Sequence, residues 1–139
     1  MDREIIAEKL EALRYCVQRL RTKCPEGAGA LQHDADIQDI VAMNLARAVQ
    51  LCVDIAAHIV ADSSAPAPNT MAESFGVLRQ LGYLSEEITN NMKKAVGFRN
   101  IAVHAYDNID WNVVHEICSH RLTDFEQFAA AIQWVMDKE

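Results

Sequence analysis

Apolar residues recur along this chain at intervals of three and four, and the period-two alternation of strands is absent. Ile6, Leu10, Leu13, Val17 and Leu20 make one stripe, which predicts a helix over about residues 2–24. Cys24-Pro25-Glu26-Gly27-Ala28-Gly29 stops it, because proline cannot donate to the helix ladder and glycine favours the turn. A second stripe, Ile37, Val41, Ala48, Leu51, Ile55 and Ile59, predicts a helix that starts at Asp34 or Asp36, either of which could cap it, and ends near Ala61. Asn44 sits in that stripe where an apolar residue would be expected. Asp62 to Thr70 reads as an extended polar linker, too short for a domain boundary. A short helix over about 71–81 ends at Gly82. Ser85 can cap the next, over about 85–104, with Glu86 and Glu87 favoured at its positive N-terminal end. Asp107-Asn108 makes a turn, and a last helix spans about 110–136 on the stripe Val114, Ile117, Leu122, Phe125, Phe128, Ile132 and Val135. The expected fold is all-α, an up-and-down bundle of four long helices and one short one in a single domain over residues 1–139.

Composition adds limits. With 139 residues, 50% of them hydrophobic, the chain can bury one sizeable core. No apolar run approaches the roughly 20 residues that span a bilayer, and Met1-Asp2-Arg3-Glu4 lacks the order of a signal peptide. Cys16, Cys24, Cys52 and Cys118 show no C-x-x-C spacing, and three fall in apolar stripes; free thiols in a reducing cytosol are favoured over a disulfide. A cytoplasmic protein without membrane contact is expected.

Charge changes the picture more. The net charge is −7, yet from Ile88 through Tyr106 there is no Asp or Glu, and Lys93, Lys94, Arg99 and His104 lie in that span. A local cationic strip draws phosphate at short range, while the acidic remainder discourages broad nucleic-acid binding. The strip also holds what phosphodiester cleavage without a metal requires. An imidazole exchanges protons near neutral pH, and a planar guanidinium grips two phosphate oxygens and holds charge as it builds. Asn100 adds a neutral donor and acceptor. On a helix Asn100 and His104 are i, i+4 and share a face, whereas Arg99 and His104 stand roughly 140° apart. One copy could bring that pair onto one substrate only if the helix frayed. A second copy, related by a two-fold axis, could complete the site.

Arg99-Asn100-Ile101-Ala102-Val103-His104 resembles the Arg-x4-6-His motif of the HEPN superfamily of helical ribonucleases. The longer run from Lys93 to Tyr106 is similar to that of the HepT branch, whose motif extends to Arg-x4-His-x-Tyr, and the likeness covers nearly the whole chain. The resemblance implies a metal-independent endoribonuclease, the toxin of a bacterial toxin–antitoxin pair of type II or VII character, working as a homodimer with no cofactor. It implies that the RNA's own 2′-hydroxyl attacks the adjacent phosphorus. His104 then handles protons, Arg99 holds the phosphorane charge, and Asn100 orients His104 or a phosphate oxygen. The products would be a 2′,3′-cyclic phosphate and a 5′-hydroxyl. In this branch the tyrosine corresponding to Tyr106 receives AMP from an MntA-like nucleotidyltransferase antitoxin, which carries charge and bulk into the phosphate pocket.

Each candidate also has a plainer reading. Arg99 could be a surface arginine, His104 a helix-terminal histidine favoured by the macrodipole by about 0.3–1 kcal/mol, and Tyr106 a half-buried residue packing the bundle's end. Lys93 and Lys94 are candidates for phosphate. Gly97 costs about 1 kcal/mol in a helix interior; either another backbone comes close there or core packing demands it. Asn44, Arg47, Asp54 and His58 read mainly as a buried polar set joining helices, with a possible Asp54–His58 pair and Arg47 as a weaker RNA-facing candidate. His115-Glu116-Ile117-Cys118-Ser119-His120 misses the zinc pattern H-E-x-x-H by one residue, so its histidines diverge and no metal is expected. A different class of function also stands: a non-catalytic dimeric partner or substrate of a nucleotidyltransferase, whose strip binds nucleotide or polyphosphate. A purely structural bundle leaves the strip unexplained.

Overall fold

Asp2, Asp34, Thr70, Ser85 and Asp110 each turn a side-chain oxygen onto backbone N–H groups of the following turn, and a helix starts after every one. Such caps are worth about 1 kcal/mol apiece. Between the two candidate caps of the long second stripe, Asp34 does the work, its Oδ1 lying 3.1 Å from the Ile37 amide. The computed structural model describes residues 1–138. Along them run α1 (Arg3–Lys23), α2 (Ala28–Gln32), α3 (Ala35–Ala61), α4 (Met71–Gln80), α5 (Glu86–His104), α6 (Trp111–His120) and α7 (Leu122–Asp137), with a 3-10 turn at Tyr106–Asn108. No strand occurs among the described residues.

The all-α bundle and the first three long helices are as expected; two local details are not. The expected final helix is broken. Arg121 leaves helical geometry at φ −120° and ψ 1°, and its amide still closes α6 by bonding to the Ile117 carbonyl at 2.8 Å. The break lets α6 lie on α2 while α7 packs against α1, α3 and α5, faces that one straight helix could not serve together. The segment after α1 is not only a stop. Pro25 forces Cys24 into extended backbone, ending α1, and then Ala28–Gln32 forms one helical turn that buries Leu31. Gly82 does end α4. At φ +83° it takes the left-handed position that glycine adopts without strain, and the Gly82 and Tyr83 amides bond back to Arg79 and Leu78 at 2.9 Å.

The central helix is α3, packed by α1, α4 and α5. It is long and apolar enough to cross a bilayer by length and composition, with mean hydropathy 1.5 over its window, so the expectation that no run approaches that measure does not hold for it. Half of the window is buried inside the bundle. The core is mainly aliphatic, with Phe75, Phe125 and Phe128 as its buried rings; Phe75 and Phe128 are fully buried and meet edge to face at 5.7 Å between ring centres. All four cysteines are free; Cys16 and Cys52 are buried, whereas Cys24 and Cys118 are partly exposed and touch each other.

Phe128→Ala removes a fully buried ring and its edge-to-face partner contact, and is expected to lower the unfolding free energy by about 3–5 kcal/mol in urea titrations followed by circular dichroism.

Candidate active site

The rotation of α5 about its axis is set by Thr89, Met92 and Val96, which are at most 5% exposed. Past Val96, Phe98 and Ala102 still pack against the core, partly buried, while Gly97, Asn100, Ile101, Val103 and His104 are all exposed. Arg99 is half-buried, and its Nη1 donates to Asn100 Oδ1 at 3.1 Å. Asn100 Oδ1 is thus engaged by the neighbouring guanidinium. Helical geometry persists through His104, and Ala105 closes it with an amide bond to Ile101 at 2.8 Å. No fraying brings Arg99 and His104 together, so by helical pitch they remain roughly 140° apart. His104 has no hydrogen-bond partner among the described residues, which leaves its ring open to a ligand.

Lys93 and Lys94 do not join them. Lys93 Nζ lies over α4, 3.6 Å from where a β-carbon on Gly76 would stand. Lys94 lines an apolar cavity of about 330 Å³ between α3, α5, α6 and α7, together with Arg121 and Asp124. Burial raises the Asp124 carboxyl above its usual range, against the pull of Arg121 and Lys94. Arg47 is exposed on α3 and acts on the buried Cys16 thiol of α1. Its neighbours form no single polar set. Asn44 is buried but bonds within its own helix, to Ile40 at 2.8 Å. Asp54 takes a bond from Gln50 at 2.8 Å and pairs with Lys9 of α1 at 3.8 Å, in place of the expected His58. His115 Nε2 lies 3.0 and 2.9 Å from the Pro25 and Glu26 carbonyls and pins α6 to the α1–α2 loop, while His120 sits 4.0 Å from Glu116. No cluster of three or more potential metal ligands exists among the described residues.

Tyr106 is placed by the end of α5. Ala105, at φ −145° and ψ 49°, turns the chain out of the helix, and the phenol swings across to α3. There the Tyr106 hydroxyl donates to Asp39 Oδ1 at 2.5 Å, and the ring meets Trp111 edge to face at 5.9 Å. Burial, then the bond to Asp39 and its charge, push the phenol from 10.0 to about 12. The two residues rim an open groove of about 440 Å³ floored by Ala42, Met43, Ala102 and Val103. Asp39 is the residue that sequence reasoning missed. It lies 67 positions from Tyr106, and nothing local marks it among the surface acids of α3.

Comparison with known proteins bears on this arrangement. The family described as Ribonuclease HepT-like matches residues 4–132. The chain is 35% identical over 130 residues, 94% of its length, to the mRNA nuclease HepT of Shewanella oneidensis, 97% of which is covered. It superposes with a TM-score of 0.87, at 34% identity, on the tri-AMPylated HEPN toxin of the same bacterium in complex with an MNT antitoxin, covering 96% of this chain and 98% of that one. A toxin–antitoxin complex with AMP-PNP matches at 0.86 and 34%, over 94% and 98% of the two chains. YutE of Bacillus subtilis, at 12% identity, 0.87, and 99% and 92% coverage, shares the fold alone.

The phenol carries a testable signature. A tyrosine held protonated by the fold stabilises it fully below 10.0 and loses that contribution as pH rises through about 12. Phenolate absorbance of the chain, compared with that of Tyr106→Phe, should place the Tyr106 transition near 12, and Asp39→Ala should bring it down towards 10.0. A transition that ignores Asp39→Ala would contradict the assignment.

Proposed function

The chain belongs to the HepT-like ribonucleases, and on that premise we propose that it is the endoribonuclease toxin of a bacterial toxin–antitoxin pair, cutting RNA without a metal at a site assembled from two copies. Membership of a ribonuclease family replaces the non-catalytic alternative. The observation that carries the reading is the exposed, acid-free end of α5, with Arg99 and His104 on separate faces. In the proposed reaction the 2′-hydroxyl attacks the adjacent phosphorus, the bond to the 5′-oxygen breaks, and a 2′,3′-cyclic phosphate and a 5′-hydroxyl leave. His104 of one copy relays the protons. Arg99 of the other, steadied by Asn100, binds the non-bridging oxygens as their charge grows. Arg47, Lys93 and Lys94 serve the flanking RNA by charge alone.

Two features support pairing. Met43, Ile101 and Val103 flank the site at 71%, 44% and 52% exposure, apolar surface that a monomer gains nothing by showing to water. Gly97 has open space around its missing side chain, so packing within one chain does not require a glycine there, and the approach of another backbone does. The partner we assign is an MntA-like nucleotidyltransferase antitoxin, and the acceptor of its AMP is Tyr106. Two residues beyond His104, an adenylate there puts negative charge and bulk where the scissile phosphate must enter. The setting is cytoplasmic.

Cleavage should survive EDTA and fall by about 10²–10³-fold or more in Arg99→Ala and in His104→Ala. Mixing those two inactive variants separates the geometries. A shared site regenerates one intact centre per mixed dimer and restores part of the activity, whereas a site within one chain restores none. Gly97→Ala should add about 1 kcal/mol to the stability of the dilute chain by helix propensity while weakening both dimerisation and cleavage. A variant that is more stable and fully active would rule out close approach at Gly97.

A further inference from the structure

Nothing in the cleavage chemistry uses Asp39, yet its carboxylate makes the shortest bond to a reactive group at this end of the bundle. From the geometry we propose that Asp39 is the general base for AMP transfer onto Tyr106, so that the toxin itself carries part of the machinery for its own modification. This rests on the reading of Tyr106 as the acceptor.

A phenol is a poor nucleophile until its proton leaves. Held up to about 12, the Tyr106 hydroxyl is ionised in only about one molecule in 10⁵ at neutral pH, so pre-ionisation cannot supply the nucleophile. The proton must depart during the transfer, to a base already in place. At 2.5 Å the Asp39–Tyr106 separation is that of a hydroxyl donating to an ionised carboxylate, which is the starting arrangement for such a transfer. Tyr106 is 37% exposed, Asp39 is exposed too, and the groove between them is open. Access from outside is therefore free.

The step balances without a redox partner. The phenolic O–H bond breaks and its proton passes to Asp39 Oδ1, while the oxygen bonds to the α-phosphorus of a nucleoside triphosphate. The bond from that phosphorus to the bridging oxygen breaks, and pyrophosphate leaves. No lysine or arginine lines the groove, so this chain does not hold the triphosphate; the enzyme that binds the nucleotide brings the phosphates and their counter-charge. The toxin supplies nucleophile and base. The geometry that keeps the phenol neutral at rest is thus also the geometry that accepts its proton when an activated phosphate arrives.

The test uses the whole chain, its nucleotidyltransferase antitoxin and ATP labelled at the α-phosphate. Asp39→Asn keeps an acceptor oxygen for the phenol but cannot take its proton. It is expected to lower the maximal rate of labelling by about 10²-fold or more. The KM for the toxin and the RNA cleavage of the unmodified chain should be unchanged, and Asp39→Glu should recover part of the rate. Labelling of Asp39→Asn at the wild-type rate, or a rise in KM alone, would overturn the proposal, since the latter marks a docking contact. Loss of cleavage and labelling together would also overturn it, as the mark of a structural pin. Tyr106→Phe distinguishes the underlying reading: label that still enters this variant sinks the acceptor assignment, and Asp39 with it, whereas normal labelling of Asp39→Asn sinks Asp39 alone.

Discussion

The burial of Thr89, Met92 and Val96 against α3 and α4 is the constraint from which the rest of this molecule follows. Those side chains lock the rotation of α5, because a helix cannot turn about its axis without bringing them to water, at a cost of about 1.5–3 kcal/mol for a buried methionine alone. Every residue further along then has its direction dictated by pitch. Arg99 leaves on one side and Gly97, Asn100 and His104 on another, with the long guanidinium side chain reaching round only as far as Asn100, at 3.1 Å. With the rotation of α5 locked in this way, the pairing of two copies proposed above is what would bring the two groups onto one phosphate.

Much of this was legible in the sequence because it depends on near neighbours. The Ser85 cap, the Gly82 stop and the extended residue before Pro25 are local effects, decided within four or five residues, and the structure has each where the residues put it. The motif at the end of α5 was legible for the same reason, since i, i+4 and i, i+5 relations on a helix need no knowledge of the fold. What escaped is what depends on distant packing. Arg121 is neither proline nor glycine, and its departure from helical geometry is decided by α2 on one side and α1 and α5 on the other. Asp39 gains its role from a chain reversal 67 residues later. Asp54 has a histidine one turn away, but Lys9 of α1 and Gln50 reach it instead.

The cationic run also changes meaning in three dimensions. In sequence it is a strip; around a helix its charges point to different neighbours. Lys93 is directed over α4 and Lys94 towards Asp124, leaving the terminal turn as the place where Arg99, Asn100 and His104 meet solvent. One guanidinium beside an exposed imidazole suits a single phosphate of a flexible strand better than a duplex face. The acidic remainder of the chain, at net −7, then confines attraction to that one end.

The proposed placing of cleavage and its control at one helix terminus has a physical logic. Catalysis wants groups held by the helix, and His104 is the last residue that the helix can hold. Modification wants a hydroxyl that leaves the helix and reaches an external enzyme, and the turn at Ala105 supplies it two residues later. Had α5 continued, Tyr106 would have stayed on the helix surface away from Asp39, with no base beside it. Because α5 stops, the phenol crosses to the first turns of α3 and is stored there against a carboxylate. Once adenylylated, the same oxygen has no proton left to donate, and Asp39 faces a phosphodiester of its own charge sign. On the proposed reading, attraction then becomes repulsion, and nothing holds the modified side chain against α3 any longer.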